Sequence, residues 1–419
     1  MQDSKLKVIE LFAGVGGFRL GLEKANPDLF EVVWGNQWEP SRKAQDAFDC
    51  YKHNFKDGIH SNEDITTVSN DAFADLEPNL VVGGFPCQDY SVARSLSGEK
   101  GLQGKKGVLF WEIKRVIEST NPKYVLLENV DRLLKSPSSQ RGRDFAVMLA
   151  TFRDLDYTVE WRVINAADYG FAQRRRRVFI FAYKNGISFG QAQSNFSEDQ
   201  IVYNEGFFAK PFPVEFEPYK NRISSVTLPD DIVSISETFS FGFHTAGYMK
   251  DGYVFTTQVI PKEEKAITLR EILINEDDVD EKFYLSEATS EKFAYLRGPK
   301  KIERKTADGH VYQFSEGGMS PTDDLDKPGR TMLTSEGSTN RSTHIVEVNG
   351  RKRFLTPLEC ERLNGFDDNW TNTMSDRMRY FCMGNALVVG LIERMGHRIE
   401  EIERTNKVSE IQLELVLQS

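Results

Sequence analysis

The chain has 419 residues and a net charge of −10 at pH 7, and its 39% hydrophobic and 28% charged residues are the balance of a soluble globular protein with room for two or three domains. No apolar run approaches the roughly 20 residues that a membrane span needs, and the first residues lack the apolar stretch of a signal peptide, so we expect a cytoplasmic protein with no membrane partner. The four cysteines and six histidines show no metal-ligand spacing, which argues against a zinc site or a disulfide framework.

Short apolar runs alternate with helical patterns over residues 1–185, which predicts βαβ units and a parallel sheet. The apolar spacing of 108–119 predicts a helix that packs on this sheet. The predicted strands, in chain order, are 7–12, 31–36, 79–85, 123–129 and 176–183. We therefore predict the α/β class for this domain.

Two further segments follow the predicted sheet. Residues 186–345 lose helical periodicity and alternate β-like runs with turns, which predicts a second, smaller domain of strands and loops. Residues 350–405 are predicted to be helical again, within a C-terminal segment, 346–419, that returns to the first domain. In that segment Thr356 to Glu359 fits a capping box with proline at the first helical position, and 386–403 carries a helical apolar stripe.

The first predicted strand runs into a glycine-rich turn, ELFAGVGGF (10–18). Gly14, Gly16 and Gly17 let the backbone turn tightly and approach a ligand closely, and ligands of open α/β sheets bind beyond the carboxyl ends of the strands. The turn therefore indicates a cofactor site. The same glycines also fit an ordinary strand-to-helix turn.

Polar and aromatic side chains follow the next strands. At the end of the second strand, Gln37 or Glu39 can hydrogen-bond a ribose hydroxyl, and Trp38 can cover an adenine face. Asp64 can bind an adenine amino group. Each of these residues also fits a plain surface or core role.

Two candidate reactive groups lie at neighbouring strand ends. Cys87 follows a proline in GGFPCQDYS (83–91), and a thiol in such a loop is a candidate nucleophile. Free cysteine is also commonly a small buried apolar residue. Glu128, in the tripeptide ENV, ends the next strand, and its carboxyl group can serve as a general acid. A polar pair at a turn is the alternative.

Basic residues cluster locally although the net charge is negative, and binding depends on the local field. The period of two in a strand would send Arg175 and Arg177, in QRRRRVF (173–179), to one side. A solvated basic face is the ordinary alternative. The acidic run 275–281 is predicted to be a solvated loop.

Together these motifs resemble the DNA cytosine-5 methyltransferase family, of the prokaryotic restriction–modification type, in order and over nearly the whole chain. FAGVGG resembles the cofactor loop of the family and GFPCQ its nucleophile loop. The later motifs are matched by ENV, QRRRRVF, TPLECERLNGF (356–366) and MGNALVV (383–389). The segment 186–345 has no recognisable pattern, and in this family sequence recognition lies there.

The resemblance implies a Rossmann-like catalytic domain that uses S-adenosylmethionine, with a smaller target recognition domain. Cys87 would attack the cytosine, Glu128 and Arg177 would hold the flipped base, and Arg175 would support the site. The cofactor pocket would be lined by Phe12, Ala13, Gly14, Gly16, Gly17, Gln37, Trp38, Glu39, Asp64, Ile65, Phe85, Asn385 and Ala386.

DNA contacts are expected from two places. By resemblance, Gln88, Ser91 and Lys106 would belong to a mobile loop that closes over DNA. The stretch 327–344 is rich in arginine and small polar residues and is our candidate reader, with a plain polar loop as the alternative. Its predicted contacts are Arg330, Thr331, Asn340 and Arg341.

The chain departs from the family pattern in the loop from Cys87 to Gly107, which is somewhat long, and in its residues at three places. Gln37 stands where the family usually has an acid for the ribose, so Glu39 is the alternative. Lys106 replaces an arginine, which keeps a phosphate-binding charge but loses the bidentate fork. GFDD (365–368) replaces the commoner GFPD.

The resemblance sets the expected partners. We expect a monomer that acts on double-stranded DNA in the bacterial cytoplasm or nucleoid, with a cognate restriction endonuclease and without a metal. Because the first motif begins at residue 10, we expect no N-terminal regulatory region. Two alternatives remain open at this point: an RNA (tRNA) cytosine-5 methyltransferase, and a non-catalytic DNA-binding protein on the same scaffold.

Overall fold

A computed structural model of the chain describes residues 5–85, 109–215, 222–306 and 308–417. The strands in chain order are β1 (Leu6–Leu11), β2 (Phe30–Asn36), β3 (Ile59–Ser61), β4 (Leu80–Gly84), β5 (Tyr124–Asn129), β6 (Tyr157–Asn165), β7 (Arg176–Lys184), β8 (Val214–Glu215), β9 (Ile223–Thr227), β10 (Ala246–Lys250), β11 (Tyr253–Thr257), β12 (Ile260–Pro261), β13 (Lys300–Lys305), β14 (Val311–Glu316), β15 (Ile345–Val348) and β16 (Arg351–Phe354).

The α-helices of the described residues, again in chain order, vary from one turn to eight. They are α1 (Gly17–Ala25), α2 (Asp46–Asn54), α3 (Asp71–Ala74), α4 (Leu109–Thr120), α5 (Arg143–Asp154), α6 (Ser188–Gln193), α7 (Glu198–Gln200), α8 (Ile232–Thr238), α9 (Leu269–Ile272), α10 (Glu287–Arg297), α11 (Pro357–Leu363), α12 (Asp376–Asn385) and α13 (Val389–Leu417).

One sheet dominates the molecule, in the strand order β3-β2-β1-β4-β5-β7-β6-β10-β11-β9. The five strands from β3 to β5 are parallel to one another. Their apolar runs are covered on both faces, as the near-continuous hydrophobic sequences of β1 and β4 require. All five strands therefore end at one edge, which we call the carboxyl edge.

The other half of the sheet corrects the prediction of a parallel sheet. Strand β7 lies between β5 and β6 and is antiparallel to both. Only residues 166–175 connect β6 to β7, which is too short for a helical crossover, so the pair must be antiparallel. Because β7 runs the opposite way, its first residues lie at the carboxyl edge. Strands β3 and β6 were not predicted.

Three strands of segment 186–345 continue the same sheet. Strand β10 pairs with β6, and β11 and β9 follow, all antiparallel. A Cβ atom on Gly247 of β10 would lie 2.1 Å from the Trp161 ring of β6, so only glycine fits there. Part of this segment is thus continuous with the sheet of the first 185 residues. The division into three domains stays a prediction.

Helices cover both faces of the sheet, which confirms the predicted α/β class. On one face Leu22 of α1 packs with Ile392 of α13, and on the other Ile113 of α4 lies in a common core with Phe145 of α5. A Cβ atom on Gly21 would lie 2.5 Å from Ile392, so this glycine sets how closely α1 and α13 approach. The C-terminal helix therefore packs directly on the first helix.

The third segment differs in part from its prediction. It begins with the hairpin of β15 and β16 before α11. The predicted capping box is confirmed: the Thr356 side chain accepts from the Glu359 backbone N–H at 3.2 Å, and the Glu359 carboxylate accepts from the Thr356 N–H at 2.7 Å. The last helix begins at Val389 rather than 386, because Ala386 is extended, and it continues to Leu417.

The acidic run 275–281 is mostly exposed, as predicted, with Glu276 and Val279 as the exceptions. Glu276 accepts from the buried guanidinium of Arg353 at 2.6 Å, and Glu281 pairs with Arg351 at 2.7 Å. Coulomb attraction to the basic strand β16 therefore holds this run against the hairpin of β15 and β16.

Candidate active site at the carboxyl edge of the sheet

The glycine turn after β1 opens at the carboxyl edge. Phe12, Gly14 and Gly16 all have positive φ, of 55°, 58° and 91°. A Cβ atom on Gly16 would lie 2.3 Å from the Phe55 ring, whereas one on Gly14 would meet nothing within 4 Å. Packing thus requires Gly16, while Gly14 faces open space that a ligand can enter. Ala13 is held by its N–H to the carbonyl of Asn36 at 2.9 Å.

The residues after β2 stand beside this turn. Gln37 Oε1 accepts from the Gly14 N–H at 2.8 Å, so its carbonyl oxygen is used to hold the turn. Trp38 is 36% exposed. Glu39 Oε2 is enclosed without a hydrogen bond among the described residues, with Arg42 Nε at 3.4 Å. Burial raises the pKa of Glu39, against the nearby Arg42 charge.

Three further predicted cofactor residues have local roles. Asp64 caps the short helical turn 65–67 by accepting from the Thr66 N–H at 3.0 Å, and Ile65 is buried beneath it. Phe85 is buried at the end of β4, and its carbonyl accepts from Asn129 Nδ2 at 3.0 Å. This last bond ties the start of the loop that carries Cys87 to the end of β5.

The carboxyl edge brings Glu128 and Arg177 together. Glu128 ends β5, and Arg177 begins the antiparallel β7 beside it. Arg177 Nε lies 2.8 Å from Glu128 Oε1, with side chains 17% and 13% exposed. Gly84 is the register partner of Glu128 on β4, and a Cβ atom there would lie 3.4 Å from Glu128 Oε2. Three adjacent strand ends therefore form the site.

Arg175 lies buried near this pair, directly before β7 begins. Its guanidinium is buried and donates to the carbonyls of Gly384 at 3.0 Å, Met332 at 3.2 Å and Asn385 at 3.3 Å. Burial lowers the pKa of Arg175 to about 9, and the like charge of Arg177 acts in the same direction. Arg175 thus joins the Glu128 site to the end of α12.

The end of α12 supplies the last predicted cofactor residues. Asn385 is exposed, and Ala386 turns the chain into the extended form. Asn364 Nδ2 donates to the Met383 carbonyl at 2.8 Å, and Asn364 Oδ1 accepts from Gln173 at 2.7 Å. Sequence reasoning missed this bridge between Gln173 and α12. Its only signal was the place of both residues inside family-like motifs.

A second buried group beneath the turn was also missed. Glu10 of β1 is fully buried and accepts from the Tyr51 hydroxyl at 2.9 Å and from the Arg19 N–H at 3.3 Å. Burial raises the pKa of Glu10 to about 7, against these hydrogen bonds. A lone carboxylate inside an apolar strand is the sequence signal that could have revealed it.

The four residues of 327–344 that were predicted to contact DNA all form hydrogen bonds or ion pairs within the protein. Arg330 Nε lies 2.6 Å from Asp323, and Thr331 Oγ1 donates to the Arg174 carbonyl at 2.5 Å. Asn340 Oδ1 accepts from the Ser342 N–H at 2.9 Å, and Arg341 pairs with Glu316. Base contacts by these residues stay predictions.

Four predicted residues lie outside the described residues: Cys87, Gln88, Ser91 and Lys106. The other three cysteines are buried and free. Burial raises the pKa of Cys50 to about 12, and it also raises the pKa of Cys360 and Cys382. None of these three thiols is suited to attack, because the thiolate is the nucleophile.

Within the part of the chain that the structure describes, no group of three or more His, Cys, Asp or Glu side chains is placed to hold a metal ion. No described helix is long and apolar enough to cross a membrane.

Comparison with known proteins agrees with this architecture. A family model described as C-5 cytosine-specific DNA methylase matches residues 6–401. The Type II methyltransferase M.Sau3AI of Staphylococcus aureus is 62% identical over 400 residues, which cover 96% of this chain and 97% of that protein. The Type II methyltransferase M.HhaI of Haemophilus parahaemolyticus is 27% identical, with 95% of each chain covered.

A solved structure shares the fold. The S. pombe Dnmt2 methyltransferase gives a TM-score of 0.59 at 16% identity and covers 95% of this chain and 99% of that chain. At this identity the likeness concerns the fold alone, and it confirms the predicted Rossmann-like methyltransferase fold.

Proposed function

The chain belongs to the C-5 cytosine-specific DNA methylases, and from that premise we propose that it methylates carbon 5 of a cytosine rotated out of a specific duplex sequence, with Cys87 as the nucleophile and S-adenosylmethionine as the methyl source. One observation carries the proposal. The pair of Glu128 and Arg177 lies at the strand ends beside Gly84, three residues before Cys87.

The thiolate of Cys87 adds to carbon 6 of the cytosine, because carbon 5 of the intact ring is a poor nucleophile. Addition breaks the aromaticity and raises the electron density at carbon 5, which divides a hard step into easier ones. As the carbon–sulfur bond forms, protonated Glu128 gives its proton to ring nitrogen 3. The Arg177 guanidinium donates to the carbonyl oxygen of the cytosine, which orients the base and offsets the developing negative charge.

The reverse proton movements complete the reaction. Once carbon 5 carries the methyl group, its proton passes to a water molecule and the electrons of that C–H bond re-form the double bond between carbons 5 and 6. The carbon–sulfur bond breaks in the same step, and Cys87 leaves as thiolate. Nitrogen 3 then returns its proton to Glu128. In the DNA-free structure Arg177 holds the Glu128 carboxylate, so an entering cytosine must take the place of this contact.

The residues at the glycine turn fit S-adenosylmethionine. The open space beside Gly14 and the half-exposed Trp38 ring lie together after β1 and β2. Glu39 Oε2 is enclosed beside them and has no hydrogen-bond partner among the described residues. We assign the ribose hydroxyls to Glu39, because Gly14 already uses the Gln37 carbonyl oxygen. When bound, this molecule supplies an electrophilic methyl group.

The cytosine must leave the helix to reach this site, which costs a few kcal/mol. Contacts to phosphates and base edges must offset that cost, so we expect strong salt dependence. The 62% identity with a type II methyltransferase supports a further part of the proposal: the enzyme protects its host's DNA against a cognate restriction endonuclease.

A trapping experiment tests the nucleophile. In a duplex with 5-fluorocytosine at the target position, the fluorine cannot leave as a proton does, so the adduct should persist through denaturing electrophoresis. We expect the adduct with the unchanged chain and none with Cys87→Ala, which should also lose transfer of labelled methyl to ordinary duplex DNA.

Cys382→Ala is the matched control, because it removes a thiol whose burial raises its pKa. It should still form the adduct. Methyl transfer by Cys87→Ala at the rate of the unchanged chain would refute the mechanism. A side-by-side assay on duplex DNA and tRNA tests the substrate, and transfer to tRNA alone would overturn the DNA part.

A further inference from the structure

The hairpin of β13 and β14 stands apart from the main sheet. Its strands pair with each other in register from Lys300 opposite Glu316 to Lys305 opposite Val311. They form a separate two-stranded sheet. Every residue from Lys301 to Lys305 is exposed. An isolated two-stranded hairpin with both faces wet has no core of its own, so its sequence is free to serve another purpose.

The two faces of this hairpin differ, because successive side chains of a strand point to opposite faces. On one face Ile302 pairs with Phe314 and Arg304 with Tyr312, and the Arg304 guanidinium lies 3.8 Å from the Phe314 ring centre. The other face, which we call the polar face, is formed by Lys301, Glu303, Lys305, Val311, Gln313 and Ser315.

The charge of the hairpin contrasts with that of the whole chain. Strands β13 and β14 together hold four cations and two carboxylates, and Asp308 lies between them, so the hairpin has a net charge of +1 although the chain has a net charge of −10. Lys301 and Lys305 of the polar face are exposed. A local excess of cations on a protruding, exposed ribbon is complementary to the phosphates of a nucleic acid.

The base of the hairpin is anchored through its side chains. Lys300 Nζ donates to the Leu296 carbonyl at 2.7 Å and lies 3.3 Å from Glu316. Glu316 also pairs with Arg341, which donates in addition to the Gly317 carbonyl. The Arg341 guanidinium therefore holds the base of the hairpin in place.

A chain of bonds connects this base to the Glu128 site. Arg330 donates to the carbonyls of Ser342 and Thr343, both at 3.1 Å, next to Arg341. The Arg174 N–H donates to the Gly329 carbonyl at 2.7 Å, and Arg175 donates to that of Met332. The loop 327–344 is thus a platform between the hairpin and the strand that carries Arg177.

We propose that the β13–β14 hairpin enters the major groove of the target duplex and reads base edges with its polar face, while Arg330 and Arg341 position it. The proposal rests on the proposed function and deepens it. The major groove is about 12 Å wide and admits a two-stranded ribbon. Glutamine and glutamate, both present on the polar face, have donor and acceptor patterns that match adenine and cytosine, and the two lysines beside them would lie near phosphates.

Two classes of variant separate affinity from reading. The double variant Lys301→Ala/Lys305→Ala should raise the KM for duplex DNA and lower the slope of log affinity against log salt by about 1 to 2, because two cations near phosphates are lost. Gln313→Ala and Glu303→Gln should instead relax discrimination at one base pair each, by about 10- to 100-fold. Discrimination is measured by sequencing the methylated cytosines of a random duplex library.

Lys52→Ala/Lys56→Ala is the matched control, since it removes the same charge from exposed lysines on and beside α2. It should leave the KM, the salt slope and the methylated sequence unchanged. Thermal melting of each variant should match that of the unchanged chain, because the hairpin residues substituted are exposed.

Unchanged KM, salt slope and base preference in all hairpin variants would overturn the reader role while the methyltransferase stands. A change of oligomeric state without a change in DNA affinity would also overturn it and mark the hairpin as a protein interface. Failure of the unchanged chain to methylate any duplex would instead refute the proposed function.

Discussion

The strand-end site and residues 297–344, which carry the proposed reader hairpin and are called the recognition segment below, are held in place by different means. At the strand-end site the register of β4, β5 and β7 brings Glu128 and Arg177 together through backbone hydrogen bonds. The recognition segment lies outside the main sheet apart from bridges, and a few buried charges hold it, chiefly Arg297 and Arg330 on Asp323.

The difference suggests how substitutions in one region can alter the DNA sequence that is read while the reacting groups in the other region stay in place. Backbone pairing does not depend on side-chain identity, so the reacting groups stay in place when neighbouring residues change. A hairpin on ionic anchors can be exchanged without altering the sheet. We therefore expect strand-end substitutions to change rate without stability, and anchor substitutions to change stability and DNA affinity together.

The largest effect is expected from Glu128→Gln. The amide can still donate a hydrogen bond but cannot deliver a proton, so kcat should fall about 10²- to 10⁴-fold, the usual share of general acid catalysis. The melting temperature should fall only slightly, because strand register is kept and the amide oxygen can still accept from Arg177. Single-turnover transfer of labelled methyl measures the rate.

Glu118→Gln on α4 is its control, as it removes a carboxylate that pairs only with Lys114 at the surface. Equal rates for the two variants would contradict the proposed mechanism, because Glu128 would then have no role in proton transfer.

Asp323→Asn is expected to act mainly on stability. Burial acts to raise the pKa of Asp323. Hydrogen bonds and positive charge from Arg330, His344 and Arg297 have the larger effect and hold the pKa far below its usual range. A carboxylate with a lowered pKa stabilises the fold above its unfolded pKa, and this contribution is lost as pH falls through the folded value. At pH 7 the variant should lose about 3–5 kcal/mol, the cost of leaving buried charges unpaired.

Urea unfolding at pH 7 measures this loss, and hydrogen exchange should locate it in residues 297–344. Asp324→Asn is the control, since that carboxylate is exposed; it pairs with Lys327 at 3.1 Å and accepts from the Asp326 N–H at 3.0 Å. If the two variants were equally stable, the recognition segment would not depend on its ionic anchor.

The smallest effect is expected from Glu10→Gln, and it concerns pH. Burial raises the pKa of Glu10 to about 7, above its unfolded value of 4.5. Its contribution to the free energy of unfolding is therefore full below about pH 4.5 and is lost as pH rises through about 7, by up to about 3 kcal/mol. Glu10→Gln should flatten this dependence.

Melting temperatures between pH 5 and 8 test the Glu10 prediction. Burial also raises the pKa of Glu160 to about 7, so Glu160→Gln should remove a separate, additive part of the same slope. An unchanged slope in Glu10→Gln would show that the carboxyl beneath the turn is not the group that titrates.

The sequence by itself determined the local features of this protein. The Thr356–Glu359 capping box, the glycine turn and, to within one residue, the ends of the five predicted strands were predicted correctly, because each depends on residues within one turn or one strand. The order of the motifs was sufficient to name the family and the candidate groups Glu128 and Arg177.

Only the tertiary structure decided which of these groups meet. That Arg177 faces Glu128 depends on β7 running antiparallel to β5, and that Arg341 bonds Glu316 depends on the path of the chain between them. The exposed cations of β13 were overlooked because composition drew attention to 327–344, whose arginines are occupied. Periodicity and caps report neighbours in sequence, whereas the partner of a charged side chain is set by how distant segments pack.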